Sequence, residues 1–282
     1  MTGFKTTVLK HRLYITGCRM IIKKLQIMVL GCILSANVSA NRMDSGYYGE
    51  GGWPFVGSLS VGPAWTRAGE WESFSLQPDI EKTYAADQGE YALRLVSTPK
   101  GTHTLATGEL FLGVYGPINS IVQGQIGLAI ATSSSAKLTG DIYEDANPAF
   151  NNYNYSYSVR TTRVAIKGKA LYDPGFYDLF PYVSASAGVG FNHASSFKVA
   201  PKIEEEVPAP LFTDQTSKEF SYTLGIGLQT PVDPNWQVGL GYEFSDWGQS
   251  NLGRAPGQTL GRGLHVNTFR VHGLQVSLTY IA

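Results

Sequence analysis

Two groups of polar residues in this chain combine types and spacings that could support chemistry, and the first contains a histidine and a serine. His193 and Ser195 are separated by one alanine, and a run of three glutamates ends at Glu206. A histidine that hydrogen-bonds a hydroxyl nucleophile and is oriented by a carboxylate is a common hydrolytic arrangement. The same residues also fit a polar strand end that enters a solvated loop. We predict no catalytic site and keep the triad of these three residues as the alternative.

The second group consists of charged residues within segments that are otherwise apolar or small. They are Glu109, Arg163, Lys167, Lys169 and Glu243. A buried charge is costly unless an opposite charge and hydrogen bonds compensate it. If these segments enclose an interior, the five side chains are predicted to fill it as a salt-bridge network. The alternative is a gated polar path for ions or small solutes.

The chain carries no convincing metal or cofactor motif. Asp141, Glu144 and Asp145 lie close in sequence but lack the ligand spacing of a calcium loop. Gly188-Val-Gly190 and Gly239-Leu-Gly241 do not open a helix, which a phosphate-binding glycine loop needs. We therefore predict neither a bound metal nor a cofactor.

The elements that must position these side chains show an alternation with a period of two. In residues 220–229 every even position carries a large apolar or aromatic side chain, and every odd position carries a small or polar one. Residues 236–245 repeat this pattern. A period of two is typical of a β-strand, because successive side chains point to opposite faces. Large residues on one face and small or polar ones on the other indicate an outer-membrane barrel.

Eight such segments are predicted, and the lengths of their connections indicate the topology. The segments are 55–65, 107–115, 120–132, one that ends at 172, 180–194, 220–229, 236–245 and 274–280. The short connections, rich in turn residues, are 116–119, 173–178 and 230–235. The long ones are 66–106, 133–153, 196–218 and 247–266. Short turns at one end and long loops at the other are typical of bacterial barrels.

The predicted fold is therefore all-β: a closed antiparallel eight-stranded transmembrane β-barrel with long extracellular loops. Residues 91–96 also have a strand pattern, and we assign them to a hairpin outside the barrel, with a ten-stranded barrel as the alternative. The tyrosines of 153–157 have the opposite parity to Val164 and Ile166. This predicts either a bulge near Thr161 or a strand that stands above the membrane.

Six aromatic side chains are predicted to lie near the membrane interfaces, where an apolar ring with a wet tip is favoured. Trp65 and Trp247 would lie at the outer interface, and Tyr172, Phe180, Trp236 and Tyr280 at the periplasmic one. A soluble β-sandwich, with its large residues inside, is the alternative to the barrel.

The first forty residues have the pattern of a secretory signal. Lys23 and Lys24 precede the apolar run 25–34, and a small-x-small cleavage site ends at Ala40. Met20 is the start that gives this signal its usual length. We predict a signal peptide over 1–40, an N-terminal lead-in over 41–54 and the outer-membrane β-barrel over 55–282.

Charge and cysteine content exclude some partners. The chain has 22 Lys and Arg against 22 Asp and Glu. Six of the basic residues and none of the acidic ones lie in 1–40, so the mature chain keeps 16 basic against 22 acidic residues, a net charge of −6. This argues against nucleic acid as a partner. Cys18 and Cys32 both precede the predicted cut, so the mature chain needs no disulfide.

Two glycine-rich segments carry a resemblance to a known family. Gly239-Leu-Gly-Tyr-Glu-Phe-Ser-Asp-Trp-Gly248, followed by a glycine-rich loop, and the first strand, 56–65, resemble the eight-stranded OmpA-like, opacity-type outer membrane proteins. The resemblance implies a protein of the bacterial outer membrane with adhesive or immunogenic loops and no shared catalytic residues. It implies contact with outer-membrane lipid and lipopolysaccharide, with the outer-membrane assembly machinery, and with a host or environmental ligand at the loops.

We therefore expect a structural or adhesive role and no enzymatic activity. Two alternatives remain. His-x-Ser on a barrel strand with a later glutamate is similar to the lipid A deacylases, which would make the chain an outer-leaflet hydrolase. A polar interior would instead fit a small-solute porin.

Overall fold

The computed structural model describes residues 53–67, 71–77, 80–86, 102–144, 147, 149–175, 178–203, 211–258 and 261–282. The predicted signal peptide, most of the lead-in, the strand-like segment 91–96 and Glu206 lie outside the described residues. No helix among the described residues is long and apolar enough to cross a membrane.

Thirteen strands account for most of the described chain. They are β1 (Phe55–Arg67), β2 (Trp71–Gln77), β3 (Ile80–Ala86), β4 (Thr102–Pro117), β5 (Val122–Ser133), β6 (Ala136–Glu144), β7 (Asn151–Tyr172), β8 (Phe180–Pro201), β9 (Gln215–Pro231), β10 (Trp236–Asp246), β11 (Ser250–Asn251), β12 (His265–Val266) and β13 (Arg270–Ile281).

Eight of these strands form a closed ring. The hydrogen-bonded order is β7-β5-β4-β1-β13-β10-β9-β8, and pairing of β7 with β8 closes it. Every neighbouring pair is antiparallel. Closure leaves the ring without an edge, which satisfies the backbone hydrogen bonds within the sheet. The predicted eight-stranded barrel is confirmed, and β2, β3 and β6 lie outside the ring, so the ten-stranded alternative is wrong.

The outer surface of the ring carries a belt of exposed apolar side chains. We call this the apolar belt; it comprises Leu59, Val61, Leu110, Leu112, Ile126, Leu128, Ile130, Val164, Ile166, Val183, Val189, Phe220, Leu224, Ile226, Leu228, Leu240, Tyr242, Leu274, Val276 and Leu278. Alternate residues on the same strands are buried and mostly small or polar. The soluble-sandwich alternative is wrong, because the large residues face outward from a closed ring.

Short turns join the strands at one end of the barrel, which we call the lower end. The Asn119 Oδ1 atom accepts hydrogen bonds from the backbone N–H groups of Ile121 and Val122, at 2.9 and 2.8 Å. The Asp233 Oδ1 atom does the same for Asn235 and Trp236, at 2.9 and 2.8 Å. Such side-chain bonds to the local backbone favour tight turns. The long connections leave from the opposite, upper end.

Three strands and two strand ends form a sheet above the ring. The upper part of β7 pairs with β6, β6 with β3, and β3 with β2. On its other side, β7 pairs with the upper part of β8, as far as Tyr153 opposite Pro201. We call this sheet, with the described parts of the connection that pack on it, 247–258 and 261–269, the upper platform.

The tyrosines of 153–157 point into the core of the upper platform, and this explains their parity. Burial alternates without interruption along β7 from Tyr153 to Lys167, so β7 has no bulge near Thr161. The register shift lies higher, between Ser156 and Ser158, opposite Ser196, whose φ is 60°. The expectation of a bulge near Thr161 is therefore wrong, and the strand that stands above the ring is the correct alternative.

The core of the upper platform is rich in aromatic side chains. The ring centroids of Tyr84 and Phe212 are 5.4 Å apart, and those of Phe197 and Phe212 are 5.0 Å apart in an edge-on geometry. Phe269 of the 247–269 connection stacks on Trp247 at 5.4 Å. Aromatic pairs at these separations add stability beyond simple burial. The platform is therefore a folded unit, and its core continues onto Ala64, Leu105 and Val271 of the barrel strands.

Candidate functional site

The barrel interior contains an ion-pair network that joins three strands across the ring. Glu109 of β4 accepts a hydrogen bond from Arg163 of β7, with 3.1 Å between Oε2 and Nη2, and another from Lys167 on the same strand. The Lys167 Nζ atom is also 2.9 Å from Oε1 of Glu243 on β10. At most 13% of each of these four side chains is exposed. Each buried charge is thus paired, as low-dielectric burial requires.

Hydroxyl groups complete the environment of Arg163. Its Nη1 atom donates to the Thr223 hydroxyl and lies 3.4 Å from the Ser245 hydroxyl. These two hydroxyls are themselves 2.9 Å apart. Thr223 and Ser245 occupy inward positions on β9 and β10, so the period of two that places the apolar belt outside also places these partners inside.

Lys169 lies below this network and has a different environment. Its Nζ atom donates to Oε1 of Gln229 and lies 3.9 Å from the centroid of the Tyr182 ring. Gln229 in turn donates to Gln237. A cation over an aromatic face is stabilised by the ring quadrupole. Within the described chain, Lys169 forms no ion pair.

Two glycines make room for the Tyr182 ring. A Cβ atom at Gly227 would lie 2.6 Å from the Tyr182 hydroxyl oxygen, and one at Gly241 would lie 2.1 Å from it. Real Cβ atoms do not approach other atoms so closely. Small residues at these inward positions therefore allow an aromatic side chain to cross the interior and meet Lys169.

Two small cavities flank the network. One, of about 20 Å³, lies between the ion pairs and the platform core, with Trp247 and Val271 in its lining. The other, of about 30 Å³, is lined by Lys167, Lys169 and Tyr182 among others. Each has room for one or two water molecules.

Apolar clusters lie above and below the polar layer. The lower cluster consists of Val56, Phe111, Tyr115, Ala129, Leu171, Phe180 and Ile281, with Tyr182 against it. The upper one is the core of the platform. The interior is thus layered, with apolar, polar and apolar side chains in turn, and the two cavities that flank the polar layer are of water size.

Ion pairs also tie the upper platform together. The Lys82 Nζ atom is 3.0 Å from Oε1 of Glu144, and the Asn152 amide donates to Oε2 of the same carboxylate at 2.9 Å. Partial burial raises the pKa of Glu144, but the hydrogen bond from Lys82 and its charge, with the Asn152 bond, outweigh this and leave the pKa below its ordinary value. Burial raises the pKa of Tyr84 in the platform core.

Comparison with known proteins identifies the family. The family model described as the outer membrane protein beta-barrel domain matches residues 28–281. The chain belongs to this family. Its barrel therefore lies in the bacterial outer membrane, and the upper end, with the long connections, is the extracellular end.

Solved structures of other outer-membrane barrels resemble this one. The outer membrane protease OmpT from Escherichia coli is 11% identical, with a TM-score of 0.43, and the match covers 81% of this chain and 97% of that one. OprG from Pseudomonas aeruginosa is 10% identical, with a TM-score of 0.39 and coverage of 82% and 99%. Ail of Yersinia pestis is 13% identical, with a TM-score of 0.29 and coverage of 81% and 99%. None of the curated protein sequences matches the chain.

In this outer-membrane barrel, the two described residues of the hydrolytic alternative, His193 and Ser195, do not form a catalytic pair. His193 is exposed on the outer face of β8, and its Nδ1 atom is 2.9 Å from the hydroxyl of Thr216 on β9. Ser195 lies one step further along β8, beside Ser158 of β7. No hydrogen bond joins His193 to Ser195 in the described chain. No cluster of three or more metal-ligating side chains occurs among the described residues.

Four of the six predicted interface aromatics lie on the outer surface. Trp65 is half-buried near the extracellular end. Tyr172, Trp236 and Tyr280 are exposed near the periplasmic end, and the last two rings are 4.9 Å apart. The other two are corrections. Trp247 is buried in the platform core and Phe180 in the lower apolar cluster, so neither faces an interface.

Sequence reasoning missed several residues that build these sites. Tyr182, Gln229 and Gln237 surround Lys169, and the platform core depends on Phe197 and Phe212. The three residues around Lys169 carry a sequence signal, because they occupy the inward positions of their strands, as the five charged residues do on theirs. The platform residues carry none, because they lie in segments without a strand-like alternation, for which the sequence predicts loops.

Proposed function

We propose that this outer-membrane barrel is a surface protein whose upper platform binds a host or environmental ligand, with the barrel as its anchor. The observation that carries the proposal is a closed interior combined with a folded extracellular platform. A protein that conducted solutes would need a continuous polar path. A protein that binds at the cell surface needs contact residues held beyond the lipid, and the upper platform is a folded support for such residues.

The tip of the platform presents apolar side chains to solvent. Phe150 and Ile203 are 48% and 49% exposed, although neither lies on the apolar belt. Backbone hydrogen bonds hold both segments: Glu144 N–H to Phe150 C=O at 3.1 Å, and Lys202 N–H to Asn152 C=O at 2.7 Å. Aromatic and aliphatic residues on a rigid support are typical contact residues in protein interfaces.

Adherence of bacteria that display the chain tests this proposal. A non-adherent strain would express either the native chain or a variant with Phe150→Ser and Ile203→Ser, and bacteria bound to an epithelial monolayer would be counted. We expect the native chain to raise adherence about tenfold or more and the variant to lose most of that gain, since interface anchors of this kind are worth about 2 kcal/mol each.

A control is Ile118→Ser, which changes another exposed apolar residue, 61% exposed, at the periplasmic end. It should leave adherence unchanged. Equal surface amounts and a gel mobility that shifts on boiling would establish that each variant is folded. Adherence that is no higher with the native chain than with the empty strain, on cells and on matrix-coated surfaces, would overturn the proposal.

A porin role is a second candidate, because the polar layer contains water-sized cavities. Planar-bilayer recordings separate the two roles. A barrel closed by the apolar clusters above and below the polar layer should give no discrete openings. Discrete openings from the native chain would favour the porin.

A further inference from the structure

We infer that a cavity inside the barrel, beside Lys169, binds a small monovalent anion of the size of chloride. We call this cavity, of about 30 Å³, the lumen cavity; its lining includes Lys169, Tyr182, Gln125, Ser184 and Ser277. The inference concerns the barrel interior and not the platform tip, so it stands or falls independently of the proposed adhesive role.

The charged side chains beside the lumen cavity do not balance among themselves. The carboxylates of Glu109 and Glu243 are paired with Arg163 and Lys167, so their charge is already compensated. Lys169 adds a third cation and forms no ion pair within the described chain. Three cations against two carboxylates leave a net charge of +1 on these five side chains. Because a charge removed from bulk water is costly without an opposite charge, Lys169 favours an anion beside it.

A further carboxylate at an inward position, Glu219 of β9, is too distant to compensate Lys169. Ser184, which is opposite Lys169, is also opposite Gly225 of β9. Glu219 precedes Gly225 by six residues, which places it about 20 Å higher along the strand. It does not line the lumen cavity. The extra positive charge therefore remains at the level of Lys169.

Hydrogen-bond donors without a partner face the same cavity. Gln125 of β5 and Ser184 of β8 are directly opposite Lys169 on the two strands that pair with this part of β7. Gln125 is 4% exposed, and its Nε2 atom has no hydrogen-bond partner among the described residues. The hydroxyl of Ser277, on β13, is likewise buried without a described partner. Because a buried donor left unsatisfied is costly, these groups indicate a ligand that accepts hydrogen bonds.

The contacts of Lys169 leave capacity for such a ligand. An ammonium group has three N–H donors and no acceptor. One of them donates to Gln229, and the Tyr182 ring centroid lies 3.9 Å from the Nζ atom, so a third N–H remains for the cavity. A water molecule can accept this bond, but it carries no charge to compensate Lys169. An anion accepts the same bond and supplies the charge.

The size and the walls of the lumen cavity restrict the anion. Its volume of about 30 Å³ has room for one or two water molecules, and a chloride ion is only slightly larger than one water molecule. Phosphate, sulfate and carboxylates need more space. Phe111 of the lower apolar cluster and Tyr182 also line the cavity, and such walls lower the local dielectric constant and strengthen the pairing with Lys169. The cavity therefore suits a monatomic anion.

The dependence of stability on chloride tests this inference, with the full chain purified from outer membranes and transferred to phosphatidylcholine vesicles. Urea unfolding would be measured in about 150 mM sodium chloride and in sodium gluconate of the same ionic strength, since gluconate is too large for the cavity. The equilibrium constant of unfolding should be about tenfold lower in chloride, as expected when the chloride concentration is about ten times its dissociation constant. In Lys169→Met this difference should disappear.

The matched control is Lys137→Met, which makes the same chemical change at an exposed lysine of β6 and should keep the native chloride effect. Crystals of the native chain grown in sodium bromide give a second measurement that needs no variant, and an anomalous peak should lie between the Lys169 Nζ and Gln125 Nε2 atoms. The absence of a chloride effect on the native chain, an equal effect in the two variants, or the absence of a bromide peak in the cavity would each overturn the inference. The lumen cavity would then hold water only.

Discussion

Glu109 and Arg163 face each other across the barrel interior, with 3.1 Å between Oε2 and Nη2 and less than a tenth of either side chain exposed. They lie on β4 and β7, which flank β5 in the ring, and both are in register with Ala131 of β5, so this contact ties together two strands that are not hydrogen-bonded to each other. Glu109 also forms an ion pair with Lys167, so two buried cations share its carboxylate.

Replacement of this shared anion should destabilise the barrel strongly. Glu109→Gln removes the charge that compensates Arg163 and one of the two that compensate Lys167. A buried ion left without its partner costs about 3 kcal/mol or more. Urea unfolding in lipid vesicles, followed by tryptophan fluorescence, measures the change. Glu219→Gln makes the same chemical change at a half-buried site without an ion pair among the described residues and should cost far less; equal losses would contradict the prediction.

The space occupied by Tyr182 gives a steric prediction. In Gly241→Ala the added Cβ would lie 2.1 Å from the Tyr182 hydroxyl oxygen, so the ring must move away from Lys169. Overpacking of this kind costs about 1 to 3 kcal/mol. Gly168→Ala is the control, because its nearest atom is 4.0 Å away. The same urea assay should give a large loss for the first variant and a small one for the second. A reversed order would show that Tyr182 does not fill this space.

Acid should loosen the platform through Glu144. The pKa of this carboxyl is below its ordinary value of 4.5, chiefly because Lys82 opposes the effect of burial. A depressed carboxylate pKa contributes stability that is present above the ordinary pKa and is lost as the pH falls through the folded-state value. Methyl NMR of Ile142, which is buried in β6, should report loosening of the platform below about pH 4.5. Glu144→Gln should remove this contribution and weaken the platform already at neutral pH.

The hydrolytic alternative predicts a change in lipopolysaccharide that we do not expect to see. His193 is hydrogen-bonded to Thr216 and not to Ser195, so Ser195→Ala should leave the acyl-chain pattern of the outer leaflet unchanged. Mass spectrometry of lipid A from cells with the native chain, with the variant and without the protein measures this. An acyl chain missing only in the presence of native Ser195 would establish hydrolysis and refute the non-enzymatic role.

The faces of the strands are a local property of the sequence. The parity of residues 220–229 and 236–245 determined the faces of two strands, and the same parity placed Glu109, Arg163, Lys167 and Glu243 inside. The parity of the tyrosines in β7 was also correct, but its cause was not visible. The tyrosine side chains point into the platform core. The β7–β8 register shifts beside them, where Ser196 of β8 has a positive φ.

The sequence by itself determined that this protein is an outer-membrane barrel, because the alternation of side chains along a strand is a local property and lipid outside a polar interior imposes it on every strand. Only the tertiary structure decided which charges meet, where Trp247 and Phe180 are buried, and that β2, β3 and β6 form a folded platform. These features depend on contacts between residues far apart in the chain, and such contacts are set by strand register and ring closure, which a period of two does not encode.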